Sequence, residues 1–376
     1  MKKIAVIILM LLFCSFNYGQ RSYFAYKTYK IQPDIYHRAY EEGTAYTYKA
    51  DETGRTDFSF PVFSKPGNSY TTEKINQTLQ ISELEILKGF ETKSIFERIS
   101  SDGGGIYGGK VSISFKVYDN NSKVLSVKLD ESSCGATCAY WVKYYNFNSG
   151  NGDLIQIKDL FNEKGFEKFF AFATKRRITQ LQKEIRKLPP SERGDFEGIS
   201  GSYEADDLTD FYIKNNILYI DGENSFSKNQ KFASVEIKRI SRFKLSEFRS
   251  YLNDYGKSLF GMSNNAVKRY RSNVLPQLFQ GKIGNQTVVM VLNTGYKDEM
   301  KAEYIYSKYG KGIYLEGKIN ANELSLTEKL PKPNEKGFIN YVDNGFIEAK
   351  FDGQKIIGTW ANSDRTKVYD SILSRK

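Results

Sequence analysis

The chain has 376 residues and a formal net charge of +11, and its length suggests two domains of ordinary size. Its 55 basic residues are interleaved with 44 acidic ones, whereas a nucleic-acid-binding face would concentrate the basic ones. The densest basic segment, residues 175–187, has the spacing of the solvated face of an amphipathic helix. We therefore expect no nucleic-acid partner.

The first 20 residues have the pattern of a secretory signal peptide. Lys2 and Lys3 precede an apolar run from Ile4 to Phe16, and a short polar segment follows. This run is too short for a membrane span, which needs about 20 residues. We expect a periplasmic or secreted protein whose mature form has no transmembrane segment. Cys14 leaves open the alternative of an outer-membrane lipoprotein.

The segment after the signal peptide predicts two strands and a helix. Alternation around residues 45–48 and 58–63 indicates the strands. Thr71 or Thr72 can cap the helix, and Gly89 can end it. His37 is the single histidine of the chain and has no nucleophile motif near it, so we interpret it as a surface residue rather than a catalytic base.

Two strands and a short cysteine loop follow. Residues 111–117 and 125–129 alternate apolar and polar side chains, as strands with one wet face do. Cys134 and Cys138 then enclose a small loop, and a disulfide is the economical interpretation in an oxidising compartment. So small a ring contributes about 2 kcal/mol, which stiffens a loop locally. Because a structural zinc site needs four Cys or His ligands, we expect no metal and no cofactor.

An aromatic run directly after this loop supplies the candidate binding surface, Tyr140, Trp141, Tyr144 and Tyr145. Alternate residues of a strand face opposite sides, so Trp141 and Tyr145 share one face while Tyr140 and Tyr144 share the other. We expect one pair to belong to the core and the other to be exposed. Burial of both pairs would contradict a binding role for them.

A long amphipathic helix and a hairpin come next. Asn162 can cap the helix, and Pro189-Pro190 can stop it. The acidic residues Asp206, Asp207 and Asp210 lie in a polar segment that we interpret as a solvated loop without a calcium motif. Asn215-Asn216 tolerates the positive φ of a two-residue hairpin turn.

Several of these segments together resemble a known family. They are Phe60-Pro61-Val62, Ile75-Asn76, residues 124–127, 146–148 and 154–161, and the hairpin from Phe211 to Ile220. The family comprises the paired extracytoplasmic domains of unknown function of RsiV-type anti-sigma factors and the non-catalytic part of PdaC-type peptidoglycan deacetylases. The resemblance covers about residues 40–260. It implies an α+β fold and binding near the cell wall, including lysozyme recognition in the anti-sigma branch.

This sequence departs from the family in two respects. Many members have a Gly-Ala-His loop where this chain has Ser133 to Cys138. We also expect neither a deacetylase domain nor a membrane anchor here. No binding residue is therefore carried over from the family.

The C-terminal part predicts an all-β domain. Turn signals recur every 8 to 12 residues or so after residue 276, and short alternating segments fill the gaps. Such a meander removes its edges by closing into a barrel. Residues 304–306, 315–317, 324–328 and 358–360 resemble small lipocalin-like barrels of exported bacterial proteins. The lipocalin Gly-x-Trp lies near the start of the barrel, whereas Trp360 lies near the end, and we interpret Trp360 as core.

These patterns predict an α+β fold in which an N-terminal mixed sheet with packed helices precedes an antiparallel meander barrel. The expected units are a signal peptide (1–20), an α+β domain (21–256), a linker (257–275) and the barrel (276–376).

The expected function is non-catalytic binding of a cell-envelope polymer or an extracytoplasmic protein such as a lysozyme-like hydrolase. One alternative is a glycan or peptidoglycan hydrolase that uses carboxylates such as Asp206, Asp207 and Asp210. Another is a calycin-like carrier of a small apolar ligand, which a filled barrel would exclude. A deep cleft lined by converging acids with strongly shifted pKa values would argue against the non-catalytic hypothesis.

Overall fold

The computed structural model describes most of the chain after residue 22. The described ranges are 23–30, 36–41, 44–49, 58–91, 94–99, 109–134, 138–196, 208–222, 226, 238–263, 275–295, 299–333 and 339–376. The predicted signal peptide with Cys14, and the residues Asp206 and Asp207, lie outside them. Of His37, the backbone is described and the side chain is not.

The N-terminal part combines short antiparallel sheets with helices, and the predicted α+β fold is confirmed. Its strands are β1 (Ala25–Lys30), β2 (Tyr36–Glu41), β3 (Thr44–Lys49), β4 (Ser59–Ser64), β5 (Lys110–Asn120), β6 (Val124–Cys134), β7 (Cys138–Asn148), β8 (Phe211–Lys214), β9 (Ile217–Asp221) and β10 (Ile240–Lys244). Its helices are α1 (Ser69–Leu84), α2 (Glu163–Lys187), α3 (Pro190–Arg193), α4 (Leu245–Phe248) and α5 (Asp254–Leu259). The pairs are β1 with β4, β2 with β3, β5-β6-β7 and β10-β9-β8, and an isolated parallel bridge joins Phe58 to Ile113.

Local signals set several element ends. The Asn162 side chain accepts a hydrogen bond from Gly165 N at 2.8 Å, so α2 begins where its cap predicts. Asn215 and Asn216 have φ values of 51° and 58° and form the predicted hairpin turn. The predicted cap of α1 is wrong, because the helix begins at Ser69 and Thr72 lies inside it.

Helix α1 also ends earlier than its sequence predicts. It stops at Leu84, and Glu85 takes the left-handed conformation with a φ of 53°. Glu85 is fully buried, and its carboxylate lies 3.5 Å from the guanidinium of Arg98. This C-terminus of α1 carries acidic side chains into the interior of the molecule.

Two large hydrophobic cores lie in the N-terminal part, beside a smaller one around Leu181 and Phe196. In the first, Leu125 and Val127 of β6 pack with Ile75 and Leu79 of α1. The second lies around Phe169 of α2 and includes residues of β8, β9, β10 and α5. Helix α5 extends across the predicted end of this domain at residue 256.

The C-terminal part is a closed antiparallel barrel in which each strand pairs with the next. Its strands are β11 (Gln277–Ile283), β12 (Gln286–Thr294), β13 (Glu299–Tyr306), β14 (Gly312–Asn320), β15 (Glu323–Pro333), β16 (Ile339–Phe351), β17 (Lys355–Asn362) and β18 (Val368–Arg375). Pairing of β11 with β18 closes the barrel, as the meander pattern predicts.

Side chains pack the interior of the barrel. They are Phe279, Ile283, Val288, Met290, Leu292, Met300, Ala302, Tyr304, Leu315, Leu324, Leu326, Ile347, Ala349, Phe351, Ile356 and Leu373. Trp360 packs against this cluster, in agreement with its interpretation as core. A carrier of a small apolar ligand needs an open interior, so this packing disfavours the calycin-like hypothesis.

Helix α1 joins the two parts. Its Ile81 packs against barrel residues of β11, β12 and β13, among them Leu278 and Val291. The C-terminal residue reinforces this contact, since Lys376 Nζ donates to Glu73 Oε1 and Gln77 Oε1 at 2.8 Å each. One face of α1 therefore serves the first N-terminal core, and another contacts the outside of the barrel.

Candidate functional site

A cleft of about 620 Å³ lies between the α+β part and the barrel. One wall comes from α1 and β7, with Ser82, Glu83 and Lys143. The other wall comes from the β12–β13 hairpin, with Asn293 and Glu303. Its volume lies within the range of about 300–1,000 Å³ that small-molecule sites occupy. Both halves of the molecule thus contribute polar and charged side chains to one concave surface.

Glu83 is the most heavily bonded acid of the cleft. Its Oε1 accepts from the Tyr145 hydroxyl, and Lys143 Nζ lies 2.8 Å from its Oε2. Lys110 Nζ approaches the same Oε2 at 3.3 Å. Burial raises the pKa of this carboxyl, but Lys143 and Lys110 outweigh burial and lower it to about 2. Glu83 is therefore ionised at every physiological pH.

Glu131 of β6 lies next to Glu83 and behaves in the opposite way. Its Oε2 accepts from Trp141 Nε1 at 2.6 Å and lies 3.1 Å from Lys110 Nζ. Its Oε1 is buried without a hydrogen-bond partner among the described residues. Burial and the neighbouring Glu83 carboxylate raise the pKa of Glu131 to about 7. This pair therefore holds one fixed negative charge and one proton that exchanges near neutral pH.

Glu303 of β13 approaches from the barrel side. It is 6% exposed, and its Oε1 has no hydrogen-bond partner among the described residues. A Cβ added to Gly312 would lie 2.1 Å from this oxygen, so the absence of a side chain at Gly312 makes room for the carboxyl. Burial, followed by the nearby Glu85 carboxylate, raises the pKa of Glu303 well above its usual range.

Lys143 connects the acids electrostatically. Burial lowers the pKa of its ammonium, but Glu83 and Glu131 outweigh this and raise it above the usual value. Its side chain is 40% exposed, so the charge also reaches the cleft. The site therefore presents a fixed cation beside acids whose pKa values are shifted in opposite directions, lowered for Glu83 and raised for Glu131.

The predicted aromatic pairs separate as the strand period requires. Trp141 and Tyr145 lie on the face that carries the acids, and their polar atoms bond to Glu131 and Glu83. Tyr145 is 9% exposed and belongs to the core, whereas Trp141 is half-buried. These two residues support the acid cluster.

The other pair does not form a flat exposed platform. Tyr140 is 41% exposed, but Tyr144 is half-buried and its hydroxyl donates to Asp221. The Tyr144 ring stacks on Tyr212 at 5.4 Å between centroids, and Tyr118 stacks on Tyr212 at 3.9 Å. This stack links the β5-β6-β7 sheet to the β8–β10 sheet. Tyr144 and Tyr145 also line the cleft.

The structure places the other sequence candidates as follows. Cys134 and Cys138 are direct partners in the β6–β7 register, and the disulfide between them stays a prediction. Asp210 lines the cleft, unlike the solvated loop residue that we expected.

In the described part of the chain, no group of three or more His, Cys, Asp or Glu side chains is arranged to hold a metal ion. Within the same ranges, no helix combines the length and apolar composition that a membrane crossing requires.

Sequence reasoning missed the central acids, although two of them carried a signal. Glu131 continues the buried-face alternation of Leu125, Val127 and Leu129 along β6. Glu83 follows Ile75 and Leu79 at helical spacing on the buried face of α1. An acid at a position that the period assigns to the core is a candidate functional residue.

Comparisons with known proteins give similarity at the level of solved structures. No family model matches the chain, and no curated protein matches it. A crystal structure of a DUF3298 family member from Bacteroides fragilis NCTC 9343 aligns with a TM-score of 0.41 and 13% identity, covering 65% of this chain and 100% of that one. A DUF3298 family protein from Pseudomonas aeruginosa PAO1 aligns with a TM-score of 0.39 and 12% identity, covering 61% and 96%. Similarity at this level carries no functional argument.

Proposed function

We propose that the protein is a non-catalytic binding protein of the cell envelope and that the interdomain cleft holds a short segment of an envelope polymer. The observation that carries this proposal is the cleft of about 620 Å³ between α1, β7 and the β12–β13 hairpin, with charged groups from both halves. A concave site of this volume fits a few polymer units better than it fits the surface of a partner protein such as a lysozyme-like hydrolase.

The compartment in this proposal comes from the sequence. The predicted signal peptide and the resemblance to RsiV-type and PdaC-type extracytoplasmic domains both favour a periplasmic or secreted protein. An envelope polymer is the ligand that such a protein meets at high concentration.

The arrangement of the acids favours binding over hydrolysis. Glu83 is held by Lys143, Lys110 and Tyr145, so it is a poor proton acceptor. Glu83 and Glu131 both contact Lys110 Nζ, at 3.3 and 3.1 Å, so one ammonium lies between the two carboxyls. The carboxyl pairs of glycoside hydrolases instead flank the bond that is cleaved.

The test is capture of purified cell-wall polymer by the immobilised mature protein at low and high salt. We expect capture that persists at high salt, because contacts inside a cleft are screened less than surface charge. Asn293→Trp should fill the cleft from its exposed position on β12 and abolish capture. Asn320→Trp, at an exposed position of β14 outside the cleft, should leave capture unchanged. Equal capture by the Asn293→Trp variant would refute the proposal.

A second candidate function is carboxylate-dependent hydrolysis of the same polymer. The observation in its favour is the one that we expected to argue against non-catalytic binding, namely converging acids with strongly shifted pKa values at a cleft. The adjacent acids Glu83 and Glu131 have opposite pKa shifts, to about 2 and about 7, as acid–base pairs in enzymes do. Release of soluble fragments by the wild type, and its loss in Glu131→Gln, would establish hydrolysis. No release from the wild type would eliminate it.

A further inference from the structure

Glu303 is a buried acid whose carboxyl lacks a hydrogen-bond donor within the described part of the protein. It is 6% exposed, lines the cleft, and leaves Oε1 without a hydrogen-bond partner among the described residues. Burial of a carboxyl without a partner is unfavourable, so this side chain reduces the stability of the unliganded protein.

The cations whose charge acts on Glu303 are bonded to other acids. The Arg98 guanidinium lies 3.5 Å from Glu85 and donates to the Gly312 carbonyl at 3.3 Å. Lys110 lies between Glu83 and Glu131, at 3.3 and 3.1 Å, and Lys143 lies 2.8 Å from Glu83. Among the described residues, these cations therefore pair with other acids and not with Glu303.

We propose that Glu303 recognises a protonated primary amine on the ligand. This inference rests on the proposed function, since it names the chemical class that the same cleft binds. An ammonium group supplies both the positive charge and the N–H donors that Glu303 lacks. Ser82, Asn293 and Thr294 line the same cleft and offer oxygen acceptors for the remaining N–H groups.

The amine can come from an amino sugar or from the side chain of a diamino acid. Both carry the same head group, and the cleft volume admits either. The two sources differ in the part of the ligand that fills the rest of the cleft. A binding series with both scaffolds therefore distinguishes them.

The test is calorimetric titration of the full mature chain with two matched pairs of probes. The first pair is a glucosamine tetramer and its fully N-acetylated form, and the second is Nα-acetyl-trilysine and the same peptide with every ε-amine acetylated. We expect the wild type to bind at least one amine probe and to lose about tenfold or more in affinity on acetylation. Equal affinity for both members of the pair that binds, or no binding of either amine, overturns the inference.

Glu303→Gln is the decisive variant because it keeps the shape and removes the charge. We expect it to lose about tenfold or more in affinity for the amine probe. Glu299→Gln is the matched control, at an exposed position on the same face of β13, and should bind as the wild type does. Wild-type affinity in Glu303→Gln overturns the inference. Far-ultraviolet circular dichroism of both variants checks that they fold.

Proton release gives a second measurement. Because a bound ammonium favours the ionised form of Glu303, whose pKa is raised by burial, binding of the lysine probe should expel a proton, and its affinity should rise with pH. The charged groups that act on Glu303 or lie beside it are Glu83, Glu85, Arg98, Lys110, Lys143 and Lys301. Glu303→Gln should abolish most of the release, measured in buffers of different ionisation enthalpy. Unchanged proton release in that variant counts against Glu303.

The outcomes separate this inference from the proposed function. If Asn293→Trp loses polymer capture while Glu303→Gln captures as the wild type does, the cleft is the site and amine recognition is wrong. If Asn293→Trp captures polymer normally, the proposed function itself fails.

Discussion

Carboxylates are buried both inside the barrel and at the cleft between the α+β part and the barrel, but the hydrogen bonding of these carboxylates differs. Inside the barrel, Glu328 is 1% exposed and accepts hydrogen bonds from Tyr304, Trp360 and Asn344, so neutral donors satisfy both of its oxygens. At the cleft, Glu303 leaves one buried oxygen without a partner among the described residues, and so does Glu131, which lies next to the cleft residue Glu83. A carboxylate whose two oxygens both accept hydrogen bonds has a structural role. A carboxylate beside a cleft that still lacks a donor can accept a hydrogen bond from a ligand.

The largest effect should follow loss of the charge at the centre of the cleft. Among the described residues, Glu83→Gln leaves Lys143 and Lys110 with Glu131 as their remaining carboxylate partner, and breaking such a buried pair costs about 3–5 kcal/mol of unfolding free energy. Urea unfolding at pH 7 measures this loss. Glu73→Gln is the control on the same helix, since the Glu73 side chain is exposed and glutamine can still accept from Lys376, so stability should change by less than about 1 kcal/mol. Similar losses in both variants would show that the cluster is not a coupled unit.

The next effect concerns pH. The folded pKa of Glu131, about 7, lies above its ordinary value of 4.5, so the ionised form is less favourable in the folded state. The wild type should therefore lose stability as pH rises from about 4.5 through 7, by about 3 kcal/mol for the complete shift. Glu83 stays ionised throughout this window, because its pKa is about 2. Glu131→Gln should flatten the dependence between pH 5 and 8, and parallel curves for the two proteins would contradict this assignment.

The smallest effects compare the two kinds of carboxylate directly. Glu328→Gln replaces one accepting oxygen with an NH₂ group that faces a donor, and should cost about 1–3 kcal/mol. Glu303→Gln removes no hydrogen bond that Oε1 makes within the described residues, and should leave the unfolding free energy at pH 8 unchanged or raise it. Thermal or urea unfolding of the two variants measures both changes in unfolding free energy. Equal losses would mean that Glu303 is as structural as Glu328.

Much of the fold could be predicted because its signals are local. The two-residue period placed β5, β6 and β7, the Asn162 cap placed the start of α2, and recurring turn residues indicated the meander of the barrel. Each of these depends on neighbours in the chain. The cap of α1 was wrong because threonine inside a helix can bond back to the preceding turn, as Thr72 does to Asn68 O at 3.0 Å.

The sequence alone thus determined that an α+β part precedes a barrel, and that Trp141 and Tyr145 share one face of β7. Its periodicity also assigns Glu83 and Glu131 to core positions of α1 and β6. Neither segment by itself shows that these two side chains lie next to each other. Only the tertiary structure decided that Glu303 is buried, because it lies on the outer face of a barrel strand, which the strand period assigns to solvent. The α+β part covers that face, and a contact between segments so distant in the chain leaves no periodic trace in the sequence.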